Sequence, residues 1–249
     1  LLLLCTLIAA LFSASFTSPL AAQNNIAATL VAESETPAAG KTVTLALAFT
    51  PKPGWHGYWQ NPGDAGIGTQ FNWTLPKGVK AGAARYPVPE KLVISGLMNH
   101  VYNGAHALLV PLSVPAGLAA GTTLPVQLKA EWLACTDKIC VPEGGTFALN
   151  LVVGDGAISA TTATRFDGWR AALPRPIGSK AHYQISGDEL TIAIPLPASV
   201  PAAEVWFFAE TENALAYASP QKFSRNGDVL LLEAGNADPD FKEVLRGVL

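Results

Sequence analysis

Apolar and polar side chains alternate with a period of two along much of this chain. Val43, Leu45, Leu47 and Phe49 are interleaved with Thr42, Thr44, Ala46 and Ala48, which predicts a half-buried strand. Leu124, Val126, Leu128, Ala130 and Trp132 alternate with Pro125, Gln127, Lys129 and Glu131, and Phe147, Leu149, Leu151 and Val153 form a third such run. Shorter apolar stretches at 26–32 and 106–112 predict two more strands. Several short strands separated by turn residues predict an all-β fold, an immunoglobulin-like β-sandwich.

The pattern changes near residue 155. Gly154, Asp155 and Gly156 end the alternation, and Phe166, Trp169, Arg170 and Leu173 then share one helical face that Pro174 stops. After a Pro/Gly connector, strands are predicted at 183–185, 190–194, 204–208 and 229–233, with a short helix starting at Asp238-Pro239. The expected organisation is a sandwich over 23–155, a helix and linker over 156–180, and a second, smaller β-rich unit over 181–249. That second unit ends in Arg246-Gly247-Val248-Leu249 without an evident stop, and is read as cut off before a last strand or a further domain.

Residues 1–22 read as an export signal. Residues 1–12 are almost wholly apolar, too short a stretch to span a bilayer comfortably, and small residues follow up to Leu20-Ala21-Ala22. With no Met or basic start, the record is read as clipped at its N-terminus. Cys5 leaves with the signal on this reading. A lipidation reading of Cys5 competes, against the near absence of an apolar region before it. The 249 residues carry a net charge of −3 and no basic block, which removes the electrostatic footprint of a nucleic-acid binder. Export places the remaining two cysteines, Cys135 and Cys140, in an oxidising compartment.

Those two cysteines lie between the two best-patterned strands, so their segment is expected to be a hairpin connection. Five residues of extended chain would part the Cα atoms by roughly 16 Å, whereas a disulfide needs them within about 7 Å. The chain must therefore turn over 136–139, where Asp137-Lys138 offers the turn chemistry. Closing so short a loop adds only about 2 kcal/mol in the chain-entropy model, which makes a poor staple at an accessible place. Lys138 between the sulfurs would favour a thiolate. A redox switch and a plain structural disulfide both remain open on this chemistry. Metal binding is the weakest reading, because C-x₄-C has no second pair and the four histidines are scattered.

One long string, Gly54-Trp55-His56-Gly57-Tyr58-Trp59-Gln60-Asn61-Pro62-Gly63-Asp64-Ala65-Gly66, is followed by Trp73-Thr74-Leu75-Pro76 and by the segment from Glu131 to Glu143 that holds both cysteines. Together they resemble the N-terminal periplasmic region of the DsbD/ScsB family of thiol:disulfide interchange proteins, the protein-disulfide reductases. The likeness is good over 26–153 and looser beyond. It implies an immunoglobulin-like domain whose cysteine pair, Cys135 and Cys140 here, accepts electrons from a membrane-embedded part through a thioredoxin-like domain. The pair would then reduce periplasmic partners such as disulfide isomerases, thioredoxin-like proteins of cytochrome c maturation or copper-tolerance thiol proteins. Cys140 is favoured as the partner-linked cysteine. No cofactor is implied, since the sulfurs hold the two electrons. The family shields its pair with a cap loop carrying an aromatic. The stretch 98–104 lies at the comparable distance, with Tyr102 as the expected lid residue and His100 expected near the sulfurs. Two departures stand out: better-known members place five residues between the cysteines rather than four, and Val101 stands where an aromatic is expected. The chain contains no membrane segment and no C-x-x-C, so it is read either as a stand-alone relay or, favoured by its abrupt ends, as the N-terminal part of a longer, inner-membrane-anchored reductase.

The remaining candidates have plainer readings beside the functional ones. Trp55, Tyr58 and Trp59 could form a carbohydrate platform or a wall near the redox loop, against aromatics anchoring a sandwich edge. An exported sugar-binding sandwich with an inert disulfide is thus the rival function, and a structural spacer a second one. Asp64 would act on thiol protonation only if close to the pair. His56 and His182 are expected to be surface or packing residues, Trp132 a core residue, and Pro142-Glu143 a stiffener of the hairpin exit.

Overall fold

The computed structural model describes residues 24–202 and 204–249. The predicted export signal, with Cys5, lies outside the described residues. The alternating segments become strands β1 (Ile26–Ala32), β2 (Thr42–Pro51), β8 (His106–Ser113), β9 (Thr123–Cys135) and β10 (Cys140–Val152). Between them run β3 (Gly57–Gly63), β4 (Gln70–Thr74), β5 (Lys80–Ala81), β6 (Glu90–Ile94) and β7 (Leu97–Tyr102).

Two antiparallel sheets, in the order β1-β2-β8-β5 and β10-β9-β4, close on one core. Leu45, Leu47 and Phe49 from β2 and Leu108, Val110 and Leu112 from β8 meet Val126, Leu128, Ala130 and Trp132 from β9 there. This is the all-β, immunoglobulin-like arrangement the alternation predicts. The outer face of β2 is not open, however. Ala46, Ala107 and Leu109 pack beneath Phe166 and Leu173, carried by and just beyond helix α1 (Ala160–Ala171). Small alanines at 46 and 48 let the helix approach, so a strand expected to be half-buried is covered on both faces. Ser159 caps α1 by accepting from the Thr162 amide, and Arg170 ties it to Glu33 at 2.7 Å.

A third sheet, β3-β7-β6, leans on the end of β9. A separate core forms in the C-terminal part, where β11 (His182–Ser186), β12 (Glu189–Pro195), β15 (Val229–Gly235) and β14 (Lys222–Asn226) make an antiparallel sheet around Leu190, Ile192, Leu230 and Leu232. The strand predicted over 204–208 is not found; only Phe208–Ala209 (β13) pairs, with Gly247–Val248 (β16). Nor does Asp238 start a helix: its carboxylate closes a turn by accepting from the Asp240 amide. The two parts meet where Trp59 and Tyr102 pack with Phe208 and Val248.

Candidate functional site

The hairpin β9–β10 is a thirteen-pair ladder that ends at Cys135 opposite Cys140. Both backbone groups of Cys135 turn the other way, to His56: His56 N–H donates to Cys135 O at 2.9 Å and Cys135 N–H to His56 O at 3.0 Å. Cys135 and Cys140 are therefore a non-hydrogen-bonded pair, the closely spaced kind in an antiparallel ladder. Their Cα atoms are 4.1 Å apart and the sulfurs are joined. The turn is built as its residues suggest. Thr136 N–H donates to Ile139 O at 2.8 Å, and Thr136 Oγ1 accepts from the Lys138 and Ile139 amides, each at 3.1 Å.

The two cysteines differ sharply in surroundings. Cys135 is 1% exposed and sits in a small cluster with Tyr58 and Val101, against which Leu92 and Leu133 pack. Cys140 is exposed, as are Asp137, Lys138 and Ile139 beside it. Cys140 is thus the solvent-exposed member of the pair and Cys135 the enclosed one. A cleft of about 760 Å³ runs along the hairpin stem by Gln70, Leu133 and Pro142, and neither cysteine lines it.

The hairpin exit is pinned by Glu143. Its Oε1 accepts from Asn25 N (2.6 Å) and Asn25 Nδ2 (2.8 Å), and its Oε2 from Ile26 N (3.0 Å) and Trp132 Nε1 (3.3 Å). One carboxylate thereby joins the start of β1 to both strands of the hairpin. Trp132 itself is buried in the sandwich core, edge-on to Phe49.

The expected cap residues separate. In β7, side chains alternate between faces. Val101 faces the Cys135 cluster, whereas Tyr102 packs with Trp59 and Phe208 and donates to Pro87 O at 2.7 Å. The lid role expected of Tyr102 is thus not supported by its position. His100 is also on that far face: Nδ1 meets Asn61 O at 2.9 Å, and the ring is surrounded by Trp59, Phe208 and Tyr217. Burial lowers its pKa, offset in part by the Asn61 carbonyl and by Asp64. It lies in the seam between the two cores, not by the sulfurs. Asp64 is engaged with Met98, accepting from its amide at 2.8 Å while its own amide donates to Met98 O at 2.8 Å. Lys138 stays in the turn between the cysteines.

The string around Trp59 packs partly beside the cysteine pair and partly in the seam between the two cores. His56 is 3% exposed, the packing alternative of its two expected places, and it is also the backbone partner of Cys135. Tyr58 belongs to the Cys135 cluster, and its ring occupies the space where Gly66, at φ +106°, would carry a Cβ. Trp59 is 1% exposed, and Trp55 packs against the sandwich core, so these indoles do not form an open sugar-binding face. Asn61 donates to Ala209 O (2.8 Å) and Tyr217 OH (2.9 Å), joining the two parts of the chain. The period-two signal around 56–58 is interrupted by Gly57 and by a bulge between Tyr58 and Gly63, which hides this strand from pattern reading.

Among the described residues, no cluster of three or more His, Cys, Asp or Glu could hold a metal ion, and no helix is long and apolar enough to cross a membrane.

Comparison with known proteins bears on the family and the fold. No curated protein matches the chain. Among solved structures, the N-terminal periplasmic domain of ScsB from Proteus mirabilis superposes with a TM-score of 0.65 at 15% identity, covering 87% of this chain and 84% of that one. At that identity the likeness concerns the fold. The family model described as thiol:disulfide interchange protein DsbD, N-terminal, matches residues 27–151, which take in nearly all of the sandwich and both cysteines. The chain belongs to the family of DsbD N-terminal domains and carries a thiol:disulfide interchange domain.

Proposed function

We propose that this chain is a periplasmic electron relay. Its reduced pair, Cys135 and Cys140, reduces disulfides of periplasmic proteins and is itself re-reduced by a thioredoxin-like domain linked to a membrane part. The observation that carries the reading is the unequal exposure of two bonded cysteines at a hairpin tip: Cys140 open, Cys135 buried at 1%. Exchange needs one sulfur that a partner can reach and a second that resolves the mixed disulfide. Cys140 is the sulfur that bonds to the partner, and Cys135 the resolving one.

Packing around Cys135 supports a reading of the shield as well. Leu92 of β6 packs on the Cys135 cluster, and the β6–β7 hairpin presents Val93 and Leu97 to solvent at 58% and 48% exposure. This hairpin, rather than Tyr102, is the cap in our reading. The periplasmic setting rests on the family and on the ScsB domain, itself a periplasmic domain. The sugar-binding rival has no observation in its favour, given the buried Trp59.

The test is mixed-disulfide trapping with the full chain. Cys135→Ser incubated with an oxidised thioredoxin-like protein should accumulate a covalent adduct through Cys140. Cys140→Ser should give none, and each variant should abolish multiple-turnover reduction. An adduct through Cys135, or no adduct from either variant, contradicts the proposal.

A further inference from the structure

The geometry points to His56 as the proton acceptor for Cys135: in the reduced protein, the Cys135 thiol donates to His56 Nε2. This rests on the relay reading above and adds to it a group that interacts with the buried sulfur.

Three observations converge on it. His56 and Cys135 exchange both of their backbone hydrogen bonds, at 2.9 and 3.0 Å. Directly opposed residues in an antiparallel pairing put their side chains on the same face, with Cβ atoms about 5.5 Å apart. The imidazole and the Cys135 sulfur therefore leave their strands side by side. Second, the ring stands edge-on to Tyr58, centroids 5.5 Å apart, and Tyr58 is a member of the cluster that encloses Cys135. Third, Nε2 of this buried histidine has no hydrogen-bond partner among the described residues. Buried polar atoms are nearly always paired, and an unpaired one calls for a reason.

The oxidation state supplies that reason. In the disulfide, neither sulfur carries a proton, so Cys135 has nothing to donate. Reduction places a proton on Cys135, next to an acceptor with no other partner. Burial lowers the His56 pKa, which keeps the ring neutral and its lone pair available at pH 7. The required tautomer has its proton on Nδ1 and Nε2 free to accept.

The exchange step then balances as follows. The Cys140 thiol gives its proton to solvent and the thiolate attacks a partner disulfide, giving a Cys140–partner mixed disulfide and one partner thiolate that takes up a proton from solvent. The Cys135 thiol passes its proton to His56 Nε2, and the thiolate attacks Cys140 Sγ. The Cys135–Cys140 bond forms, the Cys140–partner bond breaks, and the second partner sulfur leaves as a thiolate that takes up the imidazolium proton. The pair is oxidised by two electrons, and the partner disulfide is reduced to a dithiol.

The hydrogen bond exists only in the dithiol, so it favours the reduced state. The full chain is equilibrated in glutathione buffers as wild type, His56→Phe and His56→Gln. His56→Phe should shift the equilibrium about tenfold toward the disulfide, or about 30 mV more negative. His56→Gln keeps an acceptor in the same place and should stay within about threefold of wild type. A His56→Phe equilibrium within about twofold of wild type, or equal shifts in both variants, overturns the inference. The wild type also reports on itself, should a variant fail to fold. The His56 Nε2 nitrogen resonance should move on reduction, and an identical resonance in both oxidation states overturns the inference as well. If the wild-type pair does not equilibrate with glutathione at all, the relay reading fails together with it. If the wild-type pair equilibrates and only the variants fail to respond, the role of His56 alone falls.

Discussion

Cys135 and Cys140 are direct cross-strand partners with Cα atoms 4.1 Å apart, yet one is enclosed by Tyr58 and Val101 and the other stands in solvent. The difference arises from what lies beyond each strand. β9 continues its pairing onto His56, so Cys135 is an interior position between two partner chains. β10 begins at Cys140, on the outer edge of its sheet, and the turn from Thr136 to Ile139 leaves it exposed. A hairpin built this way leaves one cysteine of the pair open and encloses the other.

Glu143 keeps that presentation rigid, because its carboxylate accepts four hydrogen bonds from Asn25, Ile26 and Trp132. Glu143→Ala leaves the Asn25 and Ile26 donors at the start of β1 without their acceptor. The expected loss is about 2 kcal/mol in urea unfolding of the oxidised protein. Glu143→Gln keeps one acceptor oxygen and should lose less. Hydrogen exchange at the Ile26 amide should accelerate in the alanine variant. An unchanged exchange rate would mean that the clamp does not form.

Stability should fall as the medium is acidified below about pH 6.5, and His106 should account for much of the fall. Its ring is stacked between Tyr102 (4.0 Å) and Phe49 (5.2 Å), and burial takes its pKa down to about 4, against opposing effects of the Gly104 carbonyl and Glu90. The unfolded chain binds the proton near pH 6.5 and the folded one does not, so folding loses free energy between pH 6.5 and about 4. By pH 5 the loss is on the order of 2 kcal/mol. His56 and His100, also lowered by burial, add in the same direction. Urea unfolding at pH 7 and pH 5 measures this, and His106→Phe, which keeps the stack, should remove most of it. An equal pH response in wild type and variant would show that His106 is not the group responsible.

How far the sequence discloses this protein depends on which faces its strands bury. β9 alternates cleanly because one face meets the sandwich core, and β2 keeps the pattern in sequence because large residues face that core and small alanines lie under α1; their boundaries are legible to within a few residues. β7 is buried at every position from Met98 to Tyr102, so its residues carry no period that distinguishes the face toward Cys135 from the face toward Trp59. Nothing in that pattern therefore corrects the aromatic that the family resemblance places over the sulfurs, and it is Val101, not Tyr102, that lies beside Cys135. The cysteine hairpin itself was legible from the length of its loop and the residues that turn it. His56 was not, because a histidine beside a tryptophan reads as packing until the strand pairing shows what lies opposite. Nor was the role of Asn61, whose partners Ala209 and Tyr217 lie some 150 residues away.

The most direct test of the account is the reduction potential of the Cys135–Cys140 pair in the intact chain. A pair poised for exchange with thioredoxin-like proteins should lie roughly between −180 and −270 mV, reached reversibly from both the oxidised and the reduced protein. A potential below about −300 mV would mark a structural bond that such partners leave intact, and would contradict the relay.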